Sequence, residues 1–79
     1  MPHMISLDPI LKEIGIILDV VADPLLRIDQ SRVLLTVYVY PLVEDIRMNH
    51  EPLVAYTRVL MVTRSVGVMS STLARLQKQ

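Results

Sequence analysis

Val33-Leu34-Leu35-Thr36-Val37-Tyr38-Val39-Tyr40-Pro41-Leu42-Val43 is the stretch on which the fold turns. Its β-branched and aromatic content suits a strand, and Leu35, Val37 and Val39 alternate with Thr36, Tyr38 and Tyr40. On that reading the protein is α+β, with a strand at 33–40. A different pattern runs through the same residues. Leu25, Ile28, Leu35, Val39, Leu42 and Ile46 fall on a ladder of four- and three-residue steps that only Arg32 interrupts. A lone strand also needs a second strand to pair with, and the rest of the chain reads as helix. The stretch is therefore read as a buried helix, which Pro41 either kinks or restarts as a short helix ending near Met48-Asn49.

Outward from it, the chain is punctuated by acid-proline steps: Asp8-Pro9-Ile10-Leu11, Asp23-Pro24-Leu25-Leu26 and Glu51-Pro52-Leu53-Val54. Proline is tolerated at the first helical position, where its missing N–H has no partner to lose, and an acid there suits the positive helix end. Each step predicts a helix start, with Asp8 or Asp23 as a cap. The first helix is expected over 9–21, with Leu7, Leu11, Ile14, Leu18 and Val21 as its buried stripe and Ile10 and Ile17 widening it. Gly15 inside it costs about 1 kcal/mol relative to Ala, or permits close approach of another helix. Asp23-Pro24 ends that helix and starts the next. Asp29-Gln30-Ser31-Arg32 reads as a loop or as a second start capped by Asp29 or Ser31.

The last helix is expected over 52–77. Ala55, Val59, Val62, Val66, Met69, Leu73 and Leu76 repeat at four- and three-residue steps for about three heptads, the pattern of a seam that seeks another helix. Leu53, Val54, Leu60 and Met61 lie off the seam, so the first half should be enclosed on several sides. Gly67 and Ser70-Ser71-Thr72 are the place for a break, with Ser70 capping a final short helix. The expectation is an all-α bundle of three to four helices with a long C-terminal helix, completed by oligomerisation.

Composition says why a partner is expected. A chain of 79 residues buries only about 60% of its unfolded surface, yet 52% of this one is hydrophobic. The apolar set is 12 Leu, 11 Val, 7 Ile and 5 Met, with no Phe or Trp and three Tyr. Such aliphatics suit interdigitating helices, whereas stacking on bases or sugars needs aromatics. Surplus apolar surface marks contact faces. Charge is divided as well. Residues 5–51 hold eight acids and four bases, net −4, and residues 52–79 hold Arg58, Arg64, Arg75 and Lys78 and no acid, net +4. That asymmetry can orient self-association or docking on an acidic partner.

The chemistry-bearing residues are few. With no Cys, disulfides, thiolate metal sites and Cys nucleophiles are excluded, which fits an intracellular, cytoplasmic or nuclear, protein. Gly15 and Gly67 alone cannot build a phosphate loop, and Ser31, Ser65, Ser70 and Ser71 have no nominated base. Glu44, Asp45, His50 and Glu51 form the one polar cluster, and their spacing matches no ligand motif. Asp19, Arg58 and Arg64 interrupt the longest apolar runs, so no membrane span is expected. The polar face of 52–78 is Ser and Thr more than Lys and Arg, which argues against anionic lipid.

No catalytic, metal or cofactor residue is nominated. Met1-Pro2-His3-Met4 reads as a cloning remnant, and 5–79 as one helical interaction domain, part of a larger protein. The expected function is non-enzymatic: a homo-oligomerisation or protein–protein interaction module using the 55–76 seam. The alternative is a small nucleic-acid-binding domain using Arg58, Arg64, Arg75 and Lys78.

Overall fold

The computed structural model describes residues 7–49 and 51–77, so Met1–Met4, read above as a cloning remnant, His50 and Lys78 lie outside the described residues. The first helix, α1 (Asp8–Val21), starts one residue earlier than the periodicity suggests. Leu7 rather than Asp8 is its cap residue, with its carbonyl accepting the Leu11 N–H at 2.9 Å. Asp8 and Pro9 thus occupy the first helical turn, where the carboxylate meets the positive end of the dipole.

The buried stripe of α1 is the expected one only in part: Ile14 and Val21 and the widening Ile10 and Ile17 hold, and the three leucines do not. Ile10, Ile17 and Val21 are buried and Ile14 packs beside them, while Leu7, Leu11 and Leu18 are exposed. Both sets obey helical spacing and lie a fraction of a turn apart on one broad apolar arc. Packing against the last helix selects one edge of that arc and leaves the other in water.

Asp23-Pro24 ends α1 as anticipated but does not begin a helix. Asp23 Oδ1 accepts the Leu25 N–H at 2.9 Å and its carbonyl accepts the Leu26 N–H at 3.0 Å, so the side chain builds a turn instead. The next helix, α2 (Ile28–Leu34), starts after Arg27, whose extended backbone marks the entry. Asp29 and Ser31 are inside its first turn rather than its caps. Gln30 reaches back to accept the Arg27 N–H at 3.0 Å, and Ser31 Oγ donates to the Val21 carbonyl at 2.8 Å, pinning the corner to the end of α1.

From α2 the backbone continues without leaving helical geometry through a π-turn (Leu35–Val39) into α3 (Tyr40–Met48). The decisive stretch is helical, and the described residues contain no strand. Pro41 explains the π-turn. An α-helical register would press its ring against the carbonyl four residues back and leave that carbonyl without its N–H, and a wider turn just ahead relieves the crowding. Tyr40 accordingly donates to the carbonyl of Leu35, five residues back. The extra residue slips the ladder. Leu34, Val39 and Leu42 are buried at steps of five and three, and Gln30 is buried upstream, whereas the expected Ile28 is 82% exposed.

The last helix, α4 (Pro52–Gln77), opens where Glu51-Pro52 predicts, with the Glu51 carbonyl accepting the Ala55 N–H at 2.9 Å. It runs unbroken for 26 residues, about 39 Å. The expected break is absent because Ser70 and Ser71 hydroxyls donate to the Gly67 carbonyl and Thr72 to that of Val68, folding their polarity back onto the helix. Thr57 and Thr63 do the same to Leu53 and Val59.

These elements form a small all-α bundle with α4 as its axis: α1 packs along it most extensively, and α2, the π-turn and α3 pack on it as well. The core is aliphatic, drawing Ile10, Ile17 and Val21 from α1, Leu34, Val39 and Leu42 from the middle rod, and Ala55, Val59 and Val66 from α4. The buried amide of Gln30 joins it, its Nε2 donating to the Leu73 carbonyl at 3.4 Å.

Candidate interaction surface

The seam nominated on α4 is occupied from within the chain. Val59 and Val66 are 0% exposed, Ala55 is buried, and Val62, Met69 and Leu73 pack against the core partly buried. Only Leu76 is exposed. A helical stripe identifies a face that needs cover, and here α1 and the middle rod supply it. The aliphatic surface open to another molecule lies elsewhere.

One depression in it is a groove of about 640 Å³ between the π-turn with α3 on one side and α4 on the other. Val37, Tyr38, Pro41, Leu42, Met48, Met61 and Val62 supply its apolar lining, and Glu44, Asp45 and Arg58 its charge. Met48 is 73% exposed and Met61 66%. Long, unbranched thioethers of this kind adapt to irregular partner surfaces. A second depression of about 420 Å³ adjoins it, lined by Leu53, Val54, Thr57, Arg58 and Met61. Residues 54, 57, 58 and 61 stand at steps of three, one and three, the four-residue hole that receives a knob from a facing helix. Arg58 and Met61 belong to both depressions, which makes them one strip.

Local structure builds this strip. The π-turn moves Val37 outward while Val39 turns inward, and Pro41, unable to donate, sits at the groove wall. On α4 the strip borrows the off-seam Leu53, Val54 and Met61. Those off-seam aliphatics were the sequence signal for it, and what periodicity missed is that they face an opening rather than a third enclosing helix. A second exposed apolar edge is the flank of α1 bearing Leu7, Leu11 and Leu18.

The charges around the groove each have one ion-pair partner within the chain. Arg47 holds Glu44 through two contacts of 2.8 and 3.0 Å, and Arg58 pairs with Asp45 across the α3–α4 gap. Of the polar cluster seen in the sequence, Glu44 and Asp45 are thus in ion pairs, while Asn49 Oδ1 accepts the Glu51 N–H at 3.2 Å. No group of three or more metal-ligating side chains gathers among the described residues. Of the bases nominated for nucleic acid, Arg58 is committed to Asp45, and Arg64 and Arg75 lie exposed on α4, about 16 Å apart along its axis. Among the described residues no helix is long and apolar enough to cross a membrane.

No protein-family model, curated protein or solved structure matches this chain.

Proposed function

We propose that the protein is a non-enzymatic helical interaction module whose mechanism is burial of aliphatic surface, with self-association as its mode. The observation that carries this reading is the continuous apolar strip along α3 and α4, in which Val37, Met48, Leu53 and Met61 are exposed beside two open depressions. Monomeric domains rarely leave such a strip uncovered. Each side chain of this kind, fully buried, contributes about 1.5–3 kcal/mol, and this burial is what opposes an association cost of about 4–15 kcal/mol. The seam residues Ala55, Val59, Val66, Met69 and Leu73 take part indirectly, by fixing α4 so that its other faces are displayed, Val62 lines the groove itself, and Leu76 stays exposed. An intracellular setting belongs to the same proposal, on the cysteine-free composition.

The test is the mass of the purified chain in solution. Size-exclusion chromatography with light scattering is expected to give a mass above 9.0 kDa that falls on dilution. A folded chain that stays at 9.0 kDa up to about millimolar concentration, where even weak contacts of about −4 kcal/mol populate, refutes self-association.

A further inference from the structure

We infer that the occupant of the α3–α4 groove is a second copy of this chain, related by a two-fold axis, with α3 of each copy lying on α4 of the other. The inference rests on the self-association reading above and specifies its surface and its geometry.

Shape supports a partner that is a copy of this chain. The groove and the adjoining hole together offer a strip along two helices, and a helical hairpin is the shape that fills such a strip. The α3–α4 hairpin that borders the groove is itself that shape, so one surface serves as both receptor and insert. Self-complementarity is the condition for a closed two-fold pair.

Charge selects the orientation. α4 carries Arg58, Arg64 and Arg75 and no acid, whereas α3 carries Glu44 and Asp45 against Arg47 alone. Stacking α4 on α4 would set arginine against arginine at the centre of the contact. Placing α3 on the partner's α4 sets carboxylates near guanidiniums, and the symmetry does so twice. The existing Arg47–Glu44 and Arg58–Asp45 pairs keep these groups at the groove rim, where their side chains remain between one-third and three-quarters exposed and able to share a second partner. Met61, common to both depressions, sits at the centre of the strip and is the anchor.

The experiment compares the wild-type chain with Met61→Glu, Val37→Asn and Leu11→Glu by light scattering, with circular dichroism as the check on folding. All three replaced side chains are exposed in the single chain, so each variant is expected to stay helical. Wild type and Leu11→Glu should weigh twice 9.0 kDa, and Met61→Glu should weaken association by about thirtyfold or more, the threshold of an anchor residue. Val37→Asn should weaken it in the same sense and decides the matter if Met61→Glu does not fold. Raising sodium chloride from about 0.05 M to about 0.5 M should loosen the dimer, because opposite charges face one another; tightening would overturn the α3-on-α4 orientation. A dimer that survives both groove variants and falls apart with Leu11→Glu would overturn the inference while leaving self-association standing. A wild-type chain that is monomeric throughout would overturn both.

Discussion

Gly67 lies inside α4 and Gly15 inside α1, and neither has a backbone that only glycine can adopt. A Cβ built at either position meets nothing within 4 Å. Replacing each with alanine therefore incurs no clash, and the expected effect is the difference in helix propensity alone. That difference is about 0.8–1 kcal/mol per site in a helix interior. The sites stand on different helices without shared partners, so the double variant should gain nearly 2 kcal/mol. For a domain this size each kcal/mol raises Tm by about 4–8 °C. Urea denaturation at one fixed protein concentration, followed by circular dichroism, gives the free energy, and a shifted midpoint with an unchanged slope identifies a gain of native stability. A loss of stability at Gly67 would refute the reasoning, because it would mean that another backbone or side chain approaches α4 where this packing leaves space. A loss at Gly15 confined to high protein concentration would place a partner on the outer flank of α1 rather than in the groove.

Two further expectations concern the core and the rim. Leu34→Ala removes a fully buried side chain at the junction of α2 and the π-turn and should cost about 2–5 kcal/mol by denaturant titration, a large fraction of the total stability of a chain of this size; a loss under 1 kcal/mol would contradict its position in the core. A double-mutant cycle over Asp45→Asn and Arg58→Gln should return a coupling of only about 0.2–1 kcal/mol, fading in 1 M salt, because both side chains are at least one-third exposed.

How much of this was legible in the residues differs from element to element. α4 was, in its opening at Glu51-Pro52 and its extent, because proline and a long ladder are local signals, but the break expected at Gly67 and Ser70-Ser71-Thr72 does not occur. The helical state of 33–43 was also legible, but its register was not. A ladder drawn at constant pitch through Ile28 and Leu35 assumes that every turn holds the same number of residues, and Pro41 breaks that assumption by widening the turn before it. In α1 the composition was clear and the direction was not: Leu7, Leu11 and Leu18 are as regularly spaced as Ile10, Ile17 and Val21, and the choice between the edges is made by α4, which is remote in sequence. Asp23-Pro24 illustrates a third limit. An aspartate before proline can cap a helix or close a turn with the same carboxylate, and the backbone beyond it decides which. The interaction strip lay furthest from view, since it is defined by which aliphatics the bundle fails to cover, and that is known only after packing is complete.

The hydroxyls of α4 carry a last consequence. Thr57, Thr63, Ser70, Ser71 and Thr72 each spend their proton on a carbonyl of the same helix, at 2.8–3.1 Å. A helix whose letters look water-loving thus has the single proton of each of these hydroxyls already placed, and only their acceptor lone pairs are left to water. Such a helix can move from solvent into a protein contact without leaving a hydroxyl donor unpaired and without changing a single internal bond. It behaves, in effect, as a neutral surface that tolerates both water and a partner.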